Sequence, residues 1–408
     1  MISLLMAGAL LVPADTVTLS LAQALSTASD ASPSVQAARL RTESAQYRAS
    51  QAGNWGNPTL QATAENLGQA AAITGQPGLR GTEGQLLLSY LIPLGGDRAA
   101  RIAAARGDTE LRNAEERELT RRTQEALVAV AAQAHRDREL AALSREEAEG
   151  LDQLSRSLAE RAAAGGVSEG EAARASLAAV SAWSRHATLE GDAAWSTGEL
   201  ARLLGQEPGT EVQVQLPACA GAPAAGTTPT PALEALEAQV EIADARFHAA
   251  RAAAIPDIRP QMGLRRSAGV SALYVGLEVP LPLFDRQSSA RTAAQIEHAA
   301  AEADLESGRR TERADRVSAR TALERLEAVG ARFNEAWEQA LEQTVISAEA
   351  RYRLGEGTLT ALLDGRSARY SALADRLRWE AERWALRARW LRASGNPMSS
   401  EGLCGTRP

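Results

Sequence analysis

The chain has 408 residues, a formal charge of −7 at pH 7, and 45% hydrophobic but only 4% aromatic residues. That length suits two or three ordinary domains, but so few rings cannot fill several thick cores, and the abundance of alanine, leucine, arginine and glutamate fits long helices meeting along small-residue seams. The acidic balance leaves no footprint for nucleic acid.

Ile2 to Val12 is an uncharged apolar run followed by Pro13-Ala14, which predicts a secretory leader over residues 1–14 that lacks the usual positive start. No cysteine follows it to take a lipid anchor, and no apolar run approaches the ~18 residues of a membrane helix. Ser20-Leu21-Ala22-Gln23 has the form of a capping box and opens a short helix. A second helix starts at Ser32-Pro33, runs to about Ala52 and stops at Gly53 and Asn57-Pro58. Two period-two segments follow, near 59–67 and 84–93. The first alternates Leu60, Ala62 and Ala64 with polar residues; the second sets Leu86, Leu88, Tyr90 and Ile92 against Gln85, Leu87, Ser89 and Leu91.

Between Pro93 and Pro208 there is no proline for 114 residues. Long helices exclude proline because it loses a backbone bond and clashes with the preceding turn. The tract predicts a helical hairpin over 98–207, reversed at Gly165-Gly166. After a loose linker, 208–230, the plan repeats. Pro231 and Pro256 bracket a helix with the same 25-residue spacing as Pro33 and Pro58. Strands are expected near 258–266 and 271–280. Ile258, Pro260, Met262 and Leu264 oppose Arg259, Gln261, Gly263 and Arg265; Leu273, Val275, Leu277 and Val279 oppose Ala272, Tyr274, Gly276 and Glu278. Pro260 argues for an edge strand or a bulge. Leu283 to Asn396 is again proline-free for 114 residues. This predicts a hairpin over 286–396, its outgoing arm one helix from Arg286 to Leu354, reversed at Gly355-Glu356-Gly357; 397–408 is a tail. The chain is therefore two copies of one plan, 15–207 and 231–396.

Each strand segment is close to the ~9–11 residues that cross a membrane at a tilt, although ordinary soluble hairpins have the same pattern. Four strands cannot close a barrel, which needs about eight. If they enter a bilayer, other chains must pair their edges. On the second return arm Leu363, Tyr370, Leu377, Trp384 and Leu391 recur every seven residues, and Ala173, Val180, Ala187, Ala194 and Ala201 repeat the register 190 residues earlier. Such spacing predicts supercoiling with neighbouring helices, in a self-contained bundle or in a larger assembly.

No catalytic constellation is present, and neither enzyme activity nor a cofactor is expected. His135, His186, His248 and His298 are dispersed, with no pair at metal-ligand spacing. No nucleophile elbow or phosphate loop occurs. Cys219, in the linker, and Cys404, in the tail, are neither a redox motif nor zinc ligands. In an exported protein they are candidates for one disulfide between those segments, a pairing that sequence leaves open.

Ala52-Gly53, Asn57-Pro58-Thr59-Leu60, Glu65-Asn66-Leu67-Gly68 and Pro93-Leu94-Gly95-Gly96-Asp97-Arg98-Ala99-Ala100-Arg101 are followed in the second copy by Pro280-Leu281-Pro282-Leu283-Phe284-Asp285-Arg286 and Tyr352-Arg353-Leu354-Gly355-Glu356-Gly357-Thr358. In this order the chain resembles the TolC-like outer membrane efflux family, closest to its CzcC-like heavy-metal branch, over nearly all of Ser20 to Leu391. The resemblance implies a mainly α protein with a small β part. Three chains would close a twelve-strand β-barrel in outer membrane lipid, continued by a coiled-coil α-barrel in the periplasm. It implies a homotrimer, a periplasmic adaptor and an inner-membrane pump of the RND type as partners, and cations as cargo. The other architecture the pattern allows is a periplasmic coiled-coil adaptor without a barrel. By resemblance the periplasmic tip and gate are Gly165, Ser168, Glu171, Tyr352, Gly355, Thr358 and Asp364, and the barrel lumen face holds Arg259, Gln261, Arg265, Tyr274 and Glu278. Ala361 stands where relatives often place an acid. Gly357 stands where TolC itself has a basic partner for the acid at Glu171, a role left to Arg353 or Arg174.

Overall fold

The computed structural model describes residues 17–65, 83–219, 221, 223, 226, 228–267 and 270–405. The expected leader and Asn66-Leu67-Gly68 lie outside the described residues. In chain order the elements are β1 (Val17–Ser20), α1 (Leu21–Ala31), α2 (Pro33–Ala52), β2 (Thr59–Glu65), β3 (Glu83–Ser89), α3 (Asp97–Ala163), α4 (Glu169–Leu203), β4 (Val212–Gln215), α5 (Pro231–Ala252), β5 (Arg259–Ser267), β6 (Val270–Glu278), α6 (Ser288–Gly330), α7 (Glu335–Arg353), α8 (Leu359–Ala393) and α9 (Ser400–Cys404). They form two compact units. One takes Met1–Ala37, Arg117–Thr230 and Thr311–Pro408, the other Ala38–Glu116 and Pro231–Arg310. Each unit draws on both halves of the sequence, so the repeat and the compact unit divide the chain differently.

The second unit carries an antiparallel sheet in the order β2-β3-β5-β6. Its register sets Leu60, Leu88, Met262 and Val275 in one row and Ala62, Leu86, Leu264 and Leu273 in the next. Alternation thus puts the apolar set of all four strands on a single face. That face is bare: Leu273 is 71% and Val275 74% exposed. The second strand ends at Ser89, short of the expected 93, and continues only as a bridge between Ile92 and Ile258. The edge position expected for Pro260 is not observed, because β5 is an interior strand paired on both sides. The regular ladder with β3 stops at Gln261, Tyr90 N–H still donates to the Pro260 carbonyl (3.2 Å), and pairing resumes at Ile92 and Ile258, so the missing N–H of Pro260 falls in an interruption of the ladder.

The helices of this unit meet through small residues. A Cβ on Gly107 would stand 2.8 Å from Ile242 Cγ1, and Leu111, Ala238 and Ile242 bury together. The motif at Pro93–Arg101 has a local task here. Gly95 lies so close to the Ala252 carbonyl that a Cβ would overlap it, and Gly96 has φ +87°. Arg98 donates from Nε (3.0 Å) and Nη2 (2.6 Å) to the Gly53 carbonyl at the end of α2, and its guanidinium lies 4.9 Å over Trp55. These residues join α2, α3 and α5 at the foot of the sheet.

In the first unit the capping box at Ser20 and Gln23 forms as read. α1 follows β1, which pairs in parallel with β4. That sheet was not visible in the sequence, since four residues are too few to display alternation and the partners lie far apart in the chain. Leu21, Leu25, Leu127, Val128, Leu200, Val212, Leu391 and Leu403 fill the core around it; each buried leucine contributes about 1.5–3 kcal/mol. Cys219 and Cys404 are bonded, with Cα atoms 4.5 Å apart. Arg387, 1% exposed, grips both segments they join. It donates to the carbonyls of Gly221 (2.7 Å) and Leu403 (2.9 Å) and pairs with Glu327 (3.1 Å). Arg383 donates to the Cys219 carbonyl at 2.7 Å.

Two sequence expectations need correction in this unit. The outgoing arm Arg286–Leu354 is not one helix: it stops at Gly330 and restarts as α7 under Asn334, whose side chain caps the Trp337 N–H at 3.1 Å. Trp379 causes the break. A Cβ on Gly330 would overlap its indole, its Nε1 donates to the Leu326 carbonyl (2.8 Å), and Phe333 stacks on it with centroids 5.3 Å apart. The seven-residue register on α4 is not the seam buried within the chain: Ala175, Ala179, Ala182, Ser196 and Leu200 line that seam together with Ala201, the one register member that is buried, whereas Val180 is 65% exposed on a stripe with Leu177 and Trp195. Periodicity reports that a helix has a seam, but a helix with two neighbours has two.

Replacing Arg387 with leucine leaves two carbonyls without their donor and Glu327 with only Arg383, 3.7 Å away; it should cost about 3 kcal/mol, read as a lowered unfolding midpoint of the oxidised protein.

Candidate functional site

Three places on the chain concentrate polar chemistry. The first is the pair of hairpin tips. Gly165 and Gly355 have φ of +76° and +77°, a region that a Cβ disfavours. Gly166 N–H reaches back to the Arg161 carbonyl (2.8 Å) and Glu356 N–H to that of Arg351 (2.9 Å), which closes the helix ends. Ser168 and Thr358 then cap the returning helices, accepting from the N–H of Glu171 (3.2 Å) and of Ala361 (3.2 Å).

The two tips pack on each other. Leu158, Ala175, Leu359 and Leu362 are buried together with Tyr352 against them, and Arg174 Nη1 donates to Thr360 Oγ1 at 3.0 Å. Burial pushes the Tyr352 phenol up; the Glu171 carboxylate adds to this and Arg161 opposes it. Neither Arg174 nor Arg353 takes the role of partner to Glu171, because Arg174 binds Thr360 and Arg353 binds Glu349 at 3.3 Å. Glu171 instead stands beside its own cap, Ser168. Asp364, one turn into α8, is exposed. Further along the hairpins, Arg366 pairs with Glu349 (2.8 Å), Arg369 with Glu146 (3.2 Å), and Arg185 lies 4.6 Å over Tyr370. Burial pushes the Glu147 carboxyl up, against the pull of Arg366, Arg185 and Arg369.

The second place is the polar face of the sheet. Arg259, Gln261, Arg265, Tyr274 and Glu278 share it by register. Glu278 accepts from Gln261 Nε2 (2.9 Å) and lies 3.7 Å from Arg259, so part of that arginine's charge is compensated. Arg265 borders a small cleft with Glu65, Glu83 and Arg266.

The third place was missed in the sequence. A groove of about 1100 Å³ opens beside Gly95, Gly96 and Ala99 of α3, Val240 and Ala245 of α5 and His298 of α6. His248 and His298, fifty residues apart in the chain, both face Asp244 there. The available signal was local: Asp244 and His248 are four residues apart, as are His298 and Glu302. Among the described residues no three His, Cys, Asp or Glu side chains already surround a point fit for a metal ion, and no helix is long and apolar enough to cross a membrane.

Residues 229–395 match the family model described as outer membrane efflux protein. A curated relative, the nickel-cobalt-cadmium resistance protein NccC of Alcaligenes xylosoxydans xylosoxydans, is 33% identical over 303 residues. That match covers 70% of this chain and 65% of the relative, so the chain spans just under two thirds of the protein it matches. Among solved structures, the outer-membrane channel OprN superposes with a TM-score of 0.77 at 19% identity, covering 92% of this chain and 90% of that one. The outer membrane protein VceC from Vibrio cholerae gives 0.73 at 20% identity, covering 92% and 96%. The open state of the MtrE outer membrane channel of Neisseria gonorrhoeae gives 0.75 at 19% identity, covering 92% and 89%. These likenesses show the fold.

Gly355→Val should strain its hairpin by about 1–2 kcal/mol, seen as faster amide exchange from Leu354 to Gly357. The raised Glu147 carboxyl binds its proton more tightly in the folded state, so its contribution to stability grows as pH falls through the raised folded value and is lost as pH rises. Glu147→Gln should therefore raise Tm slightly at neutral pH, a gain that disappears in acid.

Proposed function

We propose that this chain, whose residues 229–395 match the outer membrane efflux protein model, is the outer membrane channel of a tripartite efflux system and that it exports divalent heavy-metal cations. Three copies close the tube. The sheets form a twelve-strand barrel in lipid, the helices continue it through the periplasm, and the tips dock on a periplasmic adaptor coupled to an inner-membrane pump of the RND type. The chain carries out no bond chemistry. The carrying observation is the four-stranded sheet with its apolar face exposed and its two outer strands, β2 and β6, each without a pairing strand along one side among the described residues. In hydrocarbon such edges must be paired, and strands from neighbouring copies pair them without a new fold. The bare stripe of Leu177, Val180 and Trp195 on α4 supports the same assembly in the helical part.

On this reading Arg259, Gln261, Arg265, Tyr274 and Glu278 face the lumen, and Gly165, Ser168, Glu171, Tyr352, Gly355, Thr358 and Asp364 form the periplasmic gate. Adaptor binding opens the gate by contacting the open tip better than the closed one. With Glu171 held by its cap, apolar packing around Tyr352 and the hydrogen bond from Arg174 to Thr360 resist opening. Three copies of Asp364 at the constriction favour cations, as rings of carboxylates do in pores. The metal cargo rests on the kinship with NccC.

Deleting the gene should sensitise cells to divalent metals; sensitivity to organic compounds alone would overturn the cargo, and a protein extracted without detergent would overturn the channel. In planar bilayers Asp364→Asn should lower the cation-to-anion permeability ratio severalfold without changing trimer size.

A further inference from the structure

The groove beside α3 holds a chain of four side chains in which bases and acids alternate across two helices. On α5, His248 Nε2 is 3.5 Å from Asp244 Oδ2. On α6, His298 Nε2 is 4.0 Å from Asp244 Oδ1, and its Nδ1 is 3.8 Å from Glu302 Oε2. No hydrogen bond joins the members of this row, so imidazole and carboxylate lone pairs remain available to a ligand. The side chains are accessible: His298 is 28% exposed and Asp244 51%.

We propose that these residues form a weak exchange site for borderline divalent transition-metal cations, built from two overlapping two-ligand clips, Asp244 with His248 and His298 with Glu302, in which Asp244 also serves His298. The proposal rests on the export reading above and deepens it by naming a place where cargo pauses. Metal bonds of ~2.0–2.2 Å put neighbouring donor atoms about 3 Å apart, so the spacings seen here close by small rotations of exposed side chains. Each clip sits at i, i+4 on one helix face, where two side chains can hold one ion without moving the backbone. Imidazole nitrogen mixed with carboxylate oxygen suits zinc, nickel or cobalt, whereas magnesium and calcium require oxygen ligands throughout.

Two protein ligands per ion, the rest being water, hold a cation loosely. Looseness is what a conduit requires, since an ion bound by a full cage does not leave. Arg106, Arg251 and Glu241 also line the groove. The two guanidiniums repel an arriving cation and limit its residence, and Arg251 is partly engaged over the Phe247 ring at 5.8 Å.

The test is calorimetric titration of the full chain in detergent, free of added histidines, with nickel(II) and with magnesium(II). Wild type should bind nickel in the sub-millimolar range and magnesium not at all. Asp244→Asn and the double variant His248→Gln/His298→Gln should each weaken nickel binding by at least about tenfold, given that even outer partners of a metal site cost that much. Circular dichroism should show unchanged helix content, as expected for exposed positions. Nickel affinity equal in wild type and both variants, or equal competition by magnesium, would overturn the site. The failure of the export reading is separable: a deletion strain indifferent to metals removes the cargo assignment while the titration still decides whether the clips exist.

Discussion

Two unpaired strand edges govern this molecule. Among the described residues β2 and β6 each present a row of backbone donors and acceptors with no neighbouring strand, on a sheet whose apolar face is exposed. In water such edges invite indiscriminate pairing; in hydrocarbon each unpaired group costs several kcal/mol. Closure by further copies satisfies both demands at once, and it fits a chain that contributes four strands where about eight are the practical minimum. The helical part repeats the arrangement in another form. α4 buries the line of Ala175, Ala179 and Ala182 within the chain and leaves a second apolar line bare.

Within each unit the chain fixes the spacing of its helices with small residues and arginine clamps in place of thick aromatic cores. Gly95 and Gly107 permit backbone approaches that any side chain would block. Arg98 ties the end of α2, while Arg387 ties the linker and tail beside the Cys219–Cys404 bond. A guanidinium with five donors in a rigid fork can satisfy several carbonyls together, which suits it to seams where loops end against helices. A disulfide in this position is consistent with an oxidising compartment.

At the tips the balance differs. The two reversals are set by glycine φ and by hydroxyl caps, and a small apolar cluster joins them. Such a contact is easier to shift than a network of buried charges, because no desolvated ion is stranded when it parts. Along the outgoing arm of the second repeat, the break at Gly330 frees α7 from the helical ladder of α6, and α7 buries none of its residues completely. The first repeat has no such break in α3, so similar sequences on the two arms yield unequal helices.

How much of this was legible beforehand follows from the range of each interaction. The capping box at Ser20, the glycine reversals and the alternation of the strands are local and appear close to where they were read, although β3 stops at Ser89, and Pro260, read as marking an edge or a bulge, sits in an interior strand. The break at Gly330 depends on Trp379, the seam buried on α4 depends on which neighbour covers which face, and β1 pairs with β4 from the far side of the first repeat. None of these leaves a local periodic mark. The site divides in the same way. Tip glycines and caps were readable because their geometry belongs to consecutive residues, whereas His248, Asp244 and His298 became one cluster only when α5 and α6 were laid side by side. Sequence determined the long helices, the four strands of the larger sheet and their order, since backbone sterics and alternation act between near neighbours; tertiary structure alone decided the β1–β4 pair, the break at Gly330, which faces are covered and which distant side chains meet, since those depend on contacts the chain makes only after it has folded back on itself.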